Sequence, residues 1–289
     1  MAIEFLCNIW KVEHGSAAFV KTPNNKHVIF DAGRSDDFSP AEYLHKKGVG
    51  EIDVLFVSHP HNDHVEDLPN VMSLLKPLVR MKNSDCPDDL VYPGGKGNLK
   101  EPMKSWLKME QTYTQPVTEK EKNWRIKESF GGVEFNAHCV AGDKLSKAAK
   151  NNLNNYSVVV TVQYRGILIV FPGDLEPDGW DAVLAHTDLS KHLEGNIKIL
   201  IAPHHGRRSG IRRGEHIYDR FLKLMKPDLV IISDVWGNES TDPEAYRGYC
   251  AGLDVECGTT VEEKKVLTTK TNNCVSIQVE NDNWKVKLF

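Results

Sequence analysis

Short apolar runs recur along this chain, some alternating with polar residues and some unbroken, and their pattern predicts a mixture of strands and helices. Ile3–Trp10 and Ala17–Val20 are apolar-rich, Thr22-Pro23-Asn24-Asn25 reads as a turn, and His27–Phe30 reads as a strand ending at Asp31-Ala32-Gly33. Pro40–Lys47 predicts a short helix stopped by Gly48. Asp53–Val57 is a short, almost continuous apolar run, the pattern of a strand buried on both faces. Leu68, Val71, Met72 and Leu75 follow at helical spacing, with Pro69 tolerable in the first turn. Val158–Tyr164 and Ile167–Phe171 flank Arg165-Gly166 as a tight hairpin, and the second run ends at Pro172-Gly173-Asp174 before a helix over Leu175–Ala185. Ile197–Ala202 ends at Pro203-His204-His205-Gly206, and Leu229–Ile232 ends at Ser233-Asp234. Cys274–Glu280 and Trp284–Leu288 read as a last hairpin across Asn281–Asn283. The fold class is therefore α/β, and a chain of 289 residues fits one domain over 1–289. The irregular stretch 77–128, rich in Lys, Glu, Pro and Gly, reads either as an insertion or lid, or as a helix or two packed on one side.

Composition changes this picture little. Apolar residues make up 40% and charged residues 26%, ordinary for a folded enzyme with a core. A net charge of −4 and a pI near 6.3 give no global electrostatic case for nucleic acid, so a polyanion would need a local basic patch. No apolar run approaches the ~20 residues that span a bilayer, and the first residues lack the pattern of a signal peptide. Six scattered cysteines without a CxxC pair read as mostly buried free thiols of a cytoplasmic protein, not as a metal site.

Three separate strands end in His or Asp, and there the chemistry concentrates. Ser58–His64 holds His59, His61, Asp63 and His64 directly after a buried strand. Imidazole and carboxylate are the ligands that Zn²⁺, Mn²⁺ and Fe²⁺ prefer, and no thiolate lies within the cluster. His59 and His61, two apart, can point to one side, while Asp63 and His64 can reach an adjacent ion. Solvated histidines on a loop carry no such spacing rule.

These residues resemble the metallo-β-lactamase superfamily, and more closely the hydrolase-like domain of bacterial DNA-uptake (competence) proteins. The matching stretches are Phe30–Gly33, His59–His64, Asn155–Val158, Pro172–Asp174 and Ala202–Gly206, in order over most of the chain. The resemblance implies a four-layer αββα sandwich with the site at one edge. It also implies His59 and His61 on one ion, Asp63 and His64 on a second, Asp174 bridging, His204 completing the second site, and Asp31 supporting the histidine loop. The expected cofactor is a pair of divalent ions, zinc or manganese.

The chain departs from the family pattern in three places. The window before the bridging Asp holds Asn155 where many members carry histidine, and His138 is the other local candidate. The N-terminal turn reads Glu13-His14-Gly15-Ser16 without the acidic residue of competence proteins, and Asp242-Pro243 stands where a late His-Pro pair is typical. With no histidine after His216, either His204 or His205 supplies the last ligand, the other acting as acid or phosphate donor.

Arg207, Arg208, Arg212 and Arg213 directly follow His205 and suit phosphate oxygens; an exposed basic loop paired with acidic neighbours is the alternative. The leading expectation is a phosphodiesterase or nuclease on nucleic acid or nucleotides, with Asp63, His205 and Asn155 as catalytic groups and Arg207, Arg208 and Arg212 binding substrate. Trp106, Tyr113 and Trp124 either stack bases or anchor a lid. Two further readings stand beside it: a lactone, thioester or lactam hydrolase, and a non-catalytic, metal-stabilised subunit of a complex.

Overall fold

The apolar runs become the strands of two sheets packed face to face. The computed structural model describes residues 3–115, 121–234, 240–281 and 283–289. The first sheet runs, edge to edge, Thr260–Lys264, Leu253–Cys257, Asn283–Leu288, Cys274–Glu280, Phe5–Trp10, Ala18–Lys21, His27–Phe30, Val54–Phe56 and Val79–Met81. The second runs Val266–Thr268, Leu229–Ile232, Ile197–Ile201, Ile167–Phe171, Val159–Tyr164 and Glu134–His138.

Three apolar clusters make this a four-layer αββα sandwich. Between the sheets, Phe30 stacks on Phe171 of the opposite sheet at 4.2 Å and on Phe56 beside it at 5.3 Å. Outside the second sheet, Trp180 and Phe221 seat the Pro177–His186 and Arg220–Met225 helices. Outside the first sheet, Leu44, Leu68, Trp106 and Met109 fill the other helical layer.

Parallel pairing places the site. His27–Phe30, Val54–Phe56 and Val79–Met81 run parallel in one sheet, and Ile167–Phe171, Ile197–Ile201 and Leu229–Ile232 do so in the other. Their carboxyl ends therefore line up in each sheet. The Val158 amide donates to the Ser58 carbonyl at 2.9 Å, which stitches the two sets of ends together at one edge.

Several elements differ from the sequence reading in detail. The helix expected through Leu68 is broken into Asn62–Val65, Leu68–Asn70 and a wider π-type turn over Val71–Leu75. It ends at Lys76 in the left-handed region (φ 42°), before Pro77, which disfavours helix in the residue preceding it. The helix after Asp174 starts at Pro177, because Leu175 is spent on the core and proline favours a helix's first turn. Arg165 and Gly166 turn the hairpin with positive φ at both positions, and Asp282 of the last hairpin lies outside the described residues.

The described part of 77–128 packs onto the sandwich. Val79–Met81 is an edge strand, and the Met103–Thr112 helix buries Trp106 and Met109. Trp124 meets Phe56 edge-on at 5.3 Å within the inter-sheet core. Trp106 and Trp124, 1% and 3% exposed, are thus unavailable for stacking bases. The Tyr113 hydroxyl is committed to the Pro77 carbonyl. The cysteines are less uniformly buried than expected: Cys7 and Cys250 are buried, Cys139 is exposed, and none is paired. No helix among the described residues is long and apolar enough to cross a membrane.

Candidate metal centre

Each strand end contributes one part of the site, and backbone hydrogen bonds fix their mutual positions. Asp31 follows His27–Phe30 with φ 56°, a left-handed conformation that Asp tolerates better than most residues. Its carboxylate accepts from the Ser58 amide at 2.7 Å and the Ser58 hydroxyl at 2.9 Å, and lies 2.8 Å from His64 Nδ1. The Ala32 amide donates to the His64 carbonyl at 2.7 Å, and the buried Asp67 accepts from Ser39 and Ala41, tying in the first helix. The Glu13–Ser16 turn, lacking its acidic residue, serves as a brace: the Ser16 amide donates to the Asp63 carbonyl at 3.1 Å. Gly173 brings the second sheet's loop in close. With φ 58°, a Cβ there would lie 2.5 Å from Ser58 Cβ, so only glycine permits this approach.

Two groups of ligand atoms meet at the two oxygens of Asp174. His59, His61 and Asp174 form one group; Asp63, His64, Asp174 and His205 form the other. Asp174 Oδ1 lies 3.1 Å from His64 Nε2 and 3.5 Å from His205 Nε2, and Oδ2 lies 3.9 Å from His59 Nε2. His205 Nε2 is also 3.3 Å from Asp63 Oδ2. Imidazole nitrogens meet directly, His59 Nε2 with His61 Nδ1 at 2.8 Å and His64 Nε2 with His205 Nε2 at 3.1 Å. Ligands on a tetrahedral zinc at ~2.05 Å sit about 3.4 Å apart, so these spacings fit an ion at the centre of each group.

The electrostatics call for cations in the same places. Burial, with the neighbouring His64, pushes His59 well below the ordinary imidazole range, and burial also lowers His61; both are neutral donors. Burial is the largest influence on both and would lower His64 and His205, but the neighbouring carboxylates together outweigh it, Asp174 with Asp31 for His64 and Asp174 with Asp63 for His205. His64 is held well above its usual value and His205 at about 9. Burial would raise Asp174, yet His64 and His205 hold it well below the usual carboxylate range. Protons on His64 and His205 thus balance the buried carboxylates where divalent cations would displace them. A proton held more tightly in the folded chain than in the unfolded one adds stability below about 6.5, and this is lost as pH rises through about 9. Melting temperature in the presence of a chelator should therefore fall across that window; an unchanged value on either side of pH 9 would contradict this charge arrangement.

The structure places some sequence-predicted residues differently from the expectation. His205, not His204, lies with Asp63, His64 and Asp174 in one group of ligand atoms. Both have left-handed backbone (φ 50° and 53°), and the successive side chains leave toward different oxygens of Asp174. His204 Nε2 lies 3.6 Å from Oδ2, with Nδ1 held by Ser209 Oγ at 2.9 Å and 3.3 Å from Glu176 Oε1. Asn155 stays outside both groups: its amide oxygen accepts from the Gly179 amide at 3.1 Å and the Glu176 amide at 3.4 Å, capping the Pro177–His186 helix. Asp242 is spent on Arg212 at 2.6 Å, and His138 lies in a separate cluster. Arg212 and Arg213 are engaged, the latter by Asp178 and Asp181 at 2.7 Å each. Arg208 reaches Glu215 only at 3.8 Å, and Arg207 forms no ion pair among the described residues.

Sequence reasoning missed three positioning residues. Ser58 Oγ lies 3.2 Å from His59 Nδ1 and 3.1 Å from His64 Nδ1, Ser157 Oγ accepts from the Asp174 amide at 3.1 Å, and Glu176 faces His204. Their adjacency to the motifs was the available signal: Ser58 precedes His59, Ser157 lies in the Asn155–Val158 stretch, and Glu176 follows Asp174 by two.

Comparison with known proteins gives the following. Residues 10–138 match the family model of the metallo-beta-lactamase superfamily. A UPF0173 metal-dependent hydrolase from Polaromonas sp. is 36% identical over 62 residues, 21% of this chain and 23% of that protein, so the match spans under a quarter of that relative. A new diphosphatase from the PhnP family aligns with TM-score 0.43 and 11% identity over 96% of this chain and 98% of that one. Igni18, a metallo hydrolase from Ignicoccus hospitalis KIN4/I, aligns with TM-score 0.44 and 12% identity over 96% of this chain and 100% of that one.

Proposed function

We propose that this chain, whose residues 10–138 match the family model of the metallo-beta-lactamase superfamily, is a metal-dependent hydrolase of phosphodiesters, acting on nucleic acid or nucleotides with two divalent ions. The observation that carries the hydrolase reading is the shared carboxylate: both ligand groups converge on Asp174, one at each oxygen. Bound there, zinc or manganese would supply acidified water as nucleophile and neutralise charge on the substrate.

The chain's own residues carry the rest. His59, His61 and Asp174 would hold one ion, and Asp63, His64, Asp174 and His205 the other. Ser58 and Asp31 orient His64 through Nδ1, leaving Nε2 aimed at Asp174. His204, partly exposed and turned by Glu176, is placed to hold a proton at Nε2 beside Asp174 Oδ2. Arg207 and Arg208 remain for substrate phosphate oxygens, because Arg212 is committed to Asp242. These two guanidinium groups beside the site favour a phosphate ester over a lactone, thioester or lactam.

Hydrolysis of bis(p-nitrophenyl) phosphate with Mn²⁺ or Zn²⁺ tests this reading. Turnover should depend on metal and disappear in His59→Ala. Replacing Arg207 and Arg208 together by Ala should raise KM for the diester about 10-fold or more, since each charge-assisted hydrogen bond is worth roughly 1.5–3 kcal/mol. The same variant should leave p-nitrophenyl acetate hydrolysis unchanged. Equal losses on both substrates, or undiminished turnover by His59→Ala, would defeat the proposal.

A further inference from the structure

We propose that His138, Asp188 and His192 form a separate site for one divalent transition-metal ion, with zinc the cation their donors suit. His138 ends the Glu134–His138 strand, the edge of the second sheet, while Phe135 and Ala137 face the inter-sheet core. Strand alternation therefore turns His138 to the outer, helical side. Asp188 precedes and His192 ends the short turn Leu189–His192 after the Pro177–His186 helix, and buried Leu189 holds that turn against the sheet.

The three ligand atoms converge. His138 Nδ1 is 3.2 Å from Asp188 Oδ1, and His192 Nε2 is 3.7 Å from Asp188 Oδ2. One nitrogen or oxygen from each residue lies within 4.8 Å of the others. These separations bracket the roughly 3.4 Å edge of a tetrahedron around zinc. Two imidazoles thus address different oxygens of one carboxylate, and among the described residues Asp188 pairs only with them.

The surroundings also turn the His138 ring toward the cluster. Burial, with His192 nearby, lowers the pKa of His138. His138 Nε2 is buried without a hydrogen-bond partner, which leaves Nδ1 as the ring's outlet. Behind His192, Nδ1 lies 3.8 Å from Glu134 Oε1, which accepts from Asn136 at 2.8 Å, so a carboxylate stands on the far side of that ring. The Asp188 side chain is 57% exposed, so an ion can enter from solvent and keep water in its fourth position. The ion would clip the edge strand to the turn beyond the helix that Asn155 caps.

The His138–Asp188–His192 cluster shares no residue with the Asp174 centre. Asp174→Ala combined with His59→Ala is dialysed against Zn²⁺, and metal is counted by inductively coupled plasma mass spectrometry. About one zinc per chain should remain and raise the melting temperature. Adding His192→Ala should remove both the ion and the thermal shift. In the otherwise wild-type chain, His192→Ala should lower total zinc by about one and leave hydrolysis unchanged, a comparison that holds even if the combined variant does not fold. Zinc content that is the same with and without His192 would overturn the proposal.

Discussion

Asp174→Ala is expected to release the ions held by both ligand groups and to lower kcat/KM for a phosphodiester by about 10³-fold or more. The size follows from position. One carboxylate, 2% exposed, faces His64 and His205 with one oxygen and His59 and His204 with the other. Alanine would remove a ligand from each group at once, and metal affinity follows ligand number and charge. The fold should survive, because Asp174 sits in the loop after Ile167–Phe171 and its backbone amide, which alanine keeps, is what donates to Ser157 Oγ. Stability of the metal-free protein is a separate readout, since His64 and His205 lose the anion that keeps them protonated. Zinc counted before and after dialysis, beside kcat/KM, checks the prediction. A variant that keeps its ions at this centre and its turnover would remove Asp174 from the mechanism.

Asp31→Ala should cost the metal-free protein about 3–5 kcal/mol and weaken metal binding by roughly 10–100-fold. Asp31 touches no ligand group in the cluster other than His64, yet three groups depend on it: the Ser58 amide, the Ser58 hydroxyl and His64 Nδ1, all within 2.9 Å. Each is buried, so alanine leaves these donors without their acceptor. Alanine must also adopt φ near 56°, which costs about 1 kcal/mol more than in Asp or Asn. Asp31→Asn keeps the shape and one acceptor and should lie between. Chemical denaturation and zinc titration of the three proteins separate the two effects. A loss in Asp31→Ala confined to stability, with zinc affinity intact, would make Asp31 a structural residue alone.

Much of the candidate metal centre was legible because its residues are close in sequence. His59, His61, Asp63 and His64 lie within six positions after an apolar strand, and local spacing alone makes them a candidate ligand set. What spacing could not rank was His204 against His205. The choice rests on two consecutive left-handed residues, and a dihedral angle leaves no mark in a pair of identical side chains. Asn155 was misread for a related reason. An amide near a metal motif and an amide capping a helix look alike until the Glu176 and Gly179 amides are seen to point at it. The arginines divide in the same way: Arg212 and Arg213 were taken up by Asp242, Asp178 and Asp181, carboxylates 30 to 35 positions away.

By itself, the sequence determined the α/β pattern, the strands that end at the site, and the His and Asp residues there, because periodicity and ligand spacing are local properties. Only the tertiary structure decided which histidine faces which oxygen of Asp174, and that Trp106 and Trp124 lie in the core instead of over a substrate. It also brought His138 to Asp188 and His192 across some fifty residues of chain. The physical reason is common to all three. Contacts between elements distant in sequence are set by how the two sheets and their helices pack, and close packing admits few arrangements that no single segment specifies.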